Sequence, residues 1–121
     1  MLIAMFLCNL DPNISSQDRF SIGDNSSAWR SNTVQRDLRG INGCPDDYSS
    51  SDTCTIRPTA PVGSSNHEMG LAIGFDTNAI GTSRKNATPS SAPYRWLVAN
   101  SAQFGLCNLS SEAWHWSTNC K

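Results

Sequence analysis

His67 and His115 are the two histidines of the chain, and each sits in a stretch whose neighbours suit catalysis. The first stretch reads Ser65-Asn66-His67-Glu68-Met69-Gly70-Leu71-Ala72-Ile73-Gly74-Phe75-Asp76, the second Glu112-Ala113-Trp114-His115-Trp116-Ser117. Neutral imidazole is the commonest metal ligand in proteins. In each stretch small or aromatic residues surround a short apolar run, as expected when a ligand is presented from a strand or its rim. Glu112, three residues before His115, is placed to take a proton from a metal-held water. The chemistry these residue types predict is that of a small zinc hydrolase.

The elements that must position them follow from periodicity and turn chemistry. Residues 71–75 form a short apolar run suited to a buried strand, and Trp114, His115 and Trp116 lie on a final strand. Ser31 caps a short helix with Val34, Leu38 and Ile41 on one face at i, i+4, i+7, which stops at Gly40 or at Asn42-Gly43. The clearest helix spans residues 92–104: Pro93 lies in its first turn, Tyr94, Leu97, Val98 and Phe104 share a face with Trp96 close by, and Gly105 is its stop. Residues 9–28 are polar and broken by Asp11-Pro12-Asn13 and Gly23-Asp24-Asn25, which are turn signals. Pro58 and Pro61 stiffen an extended segment, and residues 77–91 form a Ser/Thr/Asn loop. These elements predict an α+β fold: a small, mostly antiparallel sheet with flanking helices.

At 121 residues the chain is long enough for one core and too short for two. The expected division is an irregular N-terminal segment over residues 1–27 and a core domain over 28–121. A formal net charge of −1 gives no electrostatic case for nucleic acid or an anionic membrane surface. No apolar run reaches the length of a membrane span. The first eight residues are apolar but lack the basic flank and the Ala-x-Ala site of a signal peptide; the expectation is an element packing on the core or the remnant of one, with a truncated signal as the alternative.

Five cysteines are many for this length. Cys44 and Cys54 enclose a polar turn, and a disulfide there would remove about 2–3 kcal/mol of unfolded-state entropy. Cys107 and Cys120 flank the second histidine stretch and could form another bridge, leaving Cys8 over. The alternative is a set of free buried thiols. Absence of Cys-x-x-Cys spacing argues against a zinc ribbon. The balance favours an oxidising, extracytoplasmic or secreted setting.

Taken together, Ser65-x-His67-x-x-Gly70-x-Ala72 and Glu112-x-Trp114-His115-Trp116 resemble the signature of zinc D-alanyl-D-alanine carboxypeptidases of the VanY type. The likeness extends to Trp29-Arg30-Ser31 with Gln35 and Leu38-Arg39, to Asn42-Gly43-Cys44 up to Cys54, and to Pro58-Thr59-Ala60-Pro61-x-Gly63. It continues through Trp96-Leu97-x-Ala99-Asn100-x-Ala102-x-x-Gly105 and Asn108-Leu109-x-Ser111-Glu112, and covers roughly residues 28–119. Each motif alone is weak; jointly they are specific. The fold this implies is the D-Ala-D-Ala carboxypeptidase/hedgehog-like one.

Carried over position by position, the resemblance implies His67 and His115 as zinc ligands and Glu112 as general base. Arg30 would stabilise the oxyanion or bind the substrate carbonyl or carboxylate. Ser65 would lie beside the terminal D-alanine, and Trp114 would line the cleft. The implied partner is a D-Ala-terminated peptidoglycan peptide, and the implied state a monomer. One position departs. The family's third ligand, an aspartate seven residues after the first histidine, is here Gly74, which has no donor. Asp76 is the candidate replacement: on a strand it faces the same side, displaced about 6.6–7 Å along the chain, and a bulge near Gly74 would shorten that gap.

Two functions compete. One is a metallopeptidase hydrolysing a D-alanyl bond, with L,D-endopeptidase specificity open. The other is a catalytically impaired descendant that binds cell-wall peptide, favoured by Gly74. The remaining candidates have structural expectations: Trp116 in the core, Glu68 exposed to solvent without a chemical role.

Overall fold

The computed structural model describes residue 12 and residues 21–22, 28–76 and 89–121; for Ser21, Ile22 and Asp76 it describes the backbone alone. The N-terminal apolar run, Cys8 and most of the 77–91 loop lie outside the described residues. In chain order the elements are β1 (Ser21–Ile22), α1 (Asn32–Ile41), a 3-10 turn (Ser51–Thr53), β2 (Ala72–Asp76) and α2 (Ala92–Asn100). A second 3-10 turn (Ser101–Phe104), β3 (Cys107–Leu109) and β4 (Glu112–Ser117) follow. The strands form an antiparallel sheet in the order β1-β2-β4-β3. The predicted α+β class holds. β1 is an addition that the turn-rich reading of residues 9–28 did not anticipate.

The sheet separates two environments because side chains alternate along each strand. Ile73 pairs with Trp116 across β2 and β4, and both join Phe75 and Leu97 in the core, with Tyr94, Trp96 and Trp114 packed at its margin. Gly74 pairs with His115, and Ala72 with Ser117, so these four backbone positions belong to the other face. The loop carrying His67 closes over it.

α1 starts where predicted, with Ser31 Oγ accepting from the Val34 N–H at 3.2 Å, but it buries a different stripe. Ile41 is 70% exposed, whereas Gln35, Arg39 and Asn42 are buried, the same i, i+4, i+7 spacing moved by one residue. The reason is the loop it faces, which presents backbone oxygens rather than apolar side chains. The Arg39 guanidinium donates to the oxygens of Asp46 (2.8 Å), Ser49 (3.0 Å) and Thr59 and to Ser49 Oγ (2.7 Å). Gln35 Nε2 donates to Ala60 O at 2.7 Å. A buried charge is tolerated when each of its nitrogens is hydrogen-bonded in this way. The Cys44–Cys54 disulfide closes the loop's base.

α2 is capped by Ser91 Oγ, which accepts from Tyr94 N–H at 3.3 Å. It tightens into the 3-10 turn and ends at Gly105, whose φ of 69° is the left-handed stop expected of glycine. Pro93, Leu97 and Ser101 are its buried residues. Val98, expected on the core face, is 59% exposed; the buried stripe runs at i, i+4, i+8 and leaves it on the outer side.

Candidate metal centre and substrate cleft

β4 creates the first condition for a site. In a regular strand residues three apart point to opposite faces, so Glu112 and His115 would be separated by the sheet. The β3–β4 register shows how this is avoided. Asn108 pairs with Trp116 but the next residue, Leu109, pairs with Glu112, so residues 113–115 of β4 bulge between them. The Asn108 side-chain amide fills the gap, donating to the backbone oxygens of both Glu112 and His115 at 2.9 Å. The bulge turns the strand enough to bring Glu112 Oε2 within 3.9 Å of His115 Nδ1. Nothing in the linear motif around Asn108 marks this role, which depends on a register that no linear pattern contains.

His67 arrives from the opposite side, on the loop between Gly63 and Leu71. Glu68, expected to be solvent-exposed, is half-buried. Its carboxylate accepts from Gly63 N–H (3.0 and 2.9 Å) and Ser65 N–H (3.1 Å), fixing the loop ahead of His67. The buried Ser65 Oγ accepts from His67 N–H at 3.3 Å. Trp29 Nε1 donates to Glu68 O at 3.1 Å, and Arg30 N–H donates to His67 O at 3.2 Å.

The two imidazoles meet edge to face, their planes at 78° and ring centroids 4.9 Å apart. His67 Nδ1 is 2.9 Å from Ala28 O, and His115 Nε2 is 3.0 Å from the backbone oxygen of Lys121. A backbone oxygen accepts only, so these two nitrogens carry the protons. His67 Nε2 and His115 Nδ1 are then left with lone pairs facing each other at 3.2 Å. Two lone pairs so close repel each other, and a cation between them relieves that repulsion. Burial, and secondarily the Arg30 charge, lowers the His67 pKa from 6.5 to about 4, which opposes filling the gap with a proton. Nitrogens bound to one tetrahedral zinc at ordinary bond lengths stand about 3.3–3.4 Å apart, so the donor pair fits a metal ion. Both remaining ring N–H groups are held by backbone oxygens, as metal-binding histidines require.

The third protein position is not supplied by a side chain at Gly74, which lies opposite His115. Among the described residues no group of three His, Cys, Asp or Glu forms a complete set. The β2–β4 ladder runs from Ala72↔Ser117 through Gly74↔His115 without a shift, and on its other edge β2 pairs Phe75↔Ile22 and Asp76↔Ser21 with β1. These pairings show no bulge at Gly74 of the kind that would shorten the gap to Asp76; the irregularity lies in β4. Asp76 keeps its two-residue offset from Gly74, and its side chain lies outside the described residues.

The remaining expected site residues converge on one cleft of about 510 Å³, lined among others by Arg30, Ser65, His67, Gly74, Glu112, Trp114 and His115. Arg30 Nη1 donates to Gln35 Oε1 at 2.7 Å, so the buried Gln35 amide orients the guanidinium with its oxygen while its nitrogen holds Ala60 O. Arg57 lies over the Trp114 ring at 5.9 Å, a cation–π contact that sequence reading missed. Lys121 also lines the cleft. A disulfide joins Cys107 to Cys120.

The model of the VanY D-alanyl-D-alanine carboxypeptidase family matches residues 15–119. Among solved structures, the chain is similar to a glutamate-to-alanine mutant of VanY, the vancomycin-resistance D,D-pentapeptidase from a VanB-type resistance cassette, in complex with Zn(II). The TM-score is 0.59 at 19% identity, covering 96% of this chain and 69% of that one. No curated protein matches the sequence.

Proposed function

Because the chain belongs to the VanY D-alanyl-D-alanine carboxypeptidase family, we propose that it is a zinc metallopeptidase that hydrolyses a D-alanyl bond in D-Ala-terminated peptidoglycan peptides outside the cytoplasm. The observation that carries this reading is the 3.2 Å approach of His67 Nε2 and His115 Nδ1, with a carboxylate 3.9 Å from the latter nitrogen. The setting outside the cytoplasm is supported by the two disulfides.

His67 and His115 would hold the zinc, with Asp76 as the candidate third ligand. When bound, zinc supplies a polarised carbonyl and a water whose pKa falls to about 7. The protein's own groups supply the rest. Glu112 takes the proton of the attacking water and delivers it to the leaving amine, the usual alternation of a single general base and acid. Arg30, held by Gln35, offers fixed donors to the developing oxyanion or to the substrate carboxylate. Ser65 and Trp114 line the space for the terminal residue.

A second reading rests on Gly74. With two imidazoles and no third protein donor, the same cleft would bind the peptide without turnover. Metal analysis of the purified protein, together with D-alanine release from a D-Ala-D-Ala peptide, separates the two. One tightly held zinc per chain and zinc-dependent release support the peptidase. Peptide binding with no zinc uptake, restored by Gly74→Asp, supports the binding protein and overturns the enzyme.

A further inference from the structure

The segment after β4 forms a hook whose contacts serve both histidines. The Cys107–Cys120 disulfide ties it to β3. Cys120 adopts φ 61°, left-handed backbone that a non-glycine residue enters at a cost of about 1–2 kcal/mol. The turn is held by Lys121 N–H, which donates to Ser117 Oγ at 3.0 Å and to Asn119 Oδ1 at 3.2 Å. Its outcome is the placement of the Lys121 backbone oxygen 3.0 Å from His115 Nε2.

The hook is also latched to the loop that carries His67. Asn66 and Asn119 exchange reciprocal amide hydrogen bonds, Asn66 Nδ2 to Asn119 Oδ1 at 2.9 Å and Asn119 Nδ2 to Asn66 Oδ1 at 3.1 Å. Asn66 Nδ2 lies 2.6 Å from the same Lys121 oxygen. Asn66 is the residue before His67, so one amide pair links the backbone carrying the first imidazole to the oxygen that orients the second. An exposed, strained turn held by this many specific contacts is a defined element of the fold.

We propose that this hook, closed by Cys107–Cys120 and latched through Asn119 to Asn66, is a positioning device that fixes the His115 tautomer and sets its spacing from His67. Its value to the site rests on the zinc reading given above, but the device itself acts in the metal-free protein. With Lys121 O in place, the His115 proton stays on Nε2 and the Nδ1 lone pair is presented to the metal position. Without it the proton is free to occupy Nδ1, which blocks that nitrogen as a ligand. Loss of such an outer hydrogen bond weakens metal binding by about 10- to 100-fold in characterised sites.

The test is the long-range 1H–15N spectrum of the imidazoles in the metal-free, oxidised full chain at pH 8, for wild type, Asn119→Ala and Asn66→Ala. Wild type is expected to show His115 protonated at Nε2 and His67 at Nδ1. Either variant is expected to move the two His115 nitrogens toward a mixed-tautomer average while the backbone amide pattern of β2 and β4 is retained. A folded variant in which His115 keeps the wild-type tautomer overturns the proposal, and two separate variants guard against one failing to fold. Zinc titration by chelator competition then runs alongside: a roughly tenfold or greater loss of affinity is expected for the variants. If wild type takes up no zinc while the tautomer responds, the functional reading falls and the positioning device stands.

Discussion

Gly74 and His115 face each other directly across the β2–β4 ladder. Opposed residues of an antiparallel pair project to the same face with Cβ positions about 4.5–5.5 Å apart, so a side chain at position 74 would stand beside the His115 imidazole. Gly74→Asp is therefore expected to complete a His-His-Asp ligand set and raise zinc affinity by more than about tenfold, read by competition with a chromophoric chelator. Asp76→Ala in the wild-type background is the companion measurement. Loss of zinc binding assigns the third ligand to Asp76, and unchanged binding removes it from the set.

Glu112 is proposed as the proton carrier rather than a ligand. Glu112→Gln is expected to hold zinc within about threefold of wild type, as removal of a non-ligand should. D-alanine release should fall by about 10²–10⁴-fold, the usual contribution of general acid–base catalysis. A large loss of zinc in this variant would instead make Glu112 a ligand.

Asn108 holds the β4 bulge from both ends through Glu112 O and His115 O. Asn108→Ala leaves both oxygens without that donor and is expected to destabilise the protein by about 1–3 kcal/mol. Turnover should drop more than zinc affinity, since Glu112 loses its alignment while His115 is still tethered at Nε2. Denaturant melts paired with kcat and zinc titration separate these effects.

The buried His67, with its pKa lowered from 6.5 to about 4, couples stability to pH. Between those values the unfolded chain binds the proton and the folded chain does not. Metal-free protein should therefore be most stable above pH 6.5 and lose stability as pH falls toward about 4, by at most roughly 3 kcal/mol. His67→Gln should flatten this part of the urea-melt profile. A slope that is the same with and without the imidazole would assign the effect to other groups.

Glu68 fixes the loop before His67 by accepting from the Gly63 and Ser65 amides. Glu68→Ala is expected to cost about 1–3 kcal/mol, the range for charge-assisted hydrogen bonds. It should also raise proteolytic susceptibility at residues 63–66, detectable by mass spectrometry of limited digests.

The sequence by itself determined which residue types meet and roughly where the elements lie. Ser31, Pro93 and Gly105 act locally, on their own turn of helix, so both helices were readable within a few residues. The two histidine stretches were legible because their motifs are local as well, and the cysteine pairs bracket short segments. Tertiary structure decided the rest. Which stripe of α1 is buried depended on the oxygen-rich loop it faces, hence Gln35 and Arg39 inside and Ile41 outside. The meeting of Glu112 with His115 required a bulge, since a three-residue spacing on a flat strand points the wrong way. Both imidazole tautomers are set by backbone oxygens at Ala28 and Lys121, one 39 residues before its histidine and one beyond a disulfide turn. Backbone oxygens leave no mark in an amino-acid pattern, so the feature that makes the two histidines fit a metal ion existed only once the chain was folded.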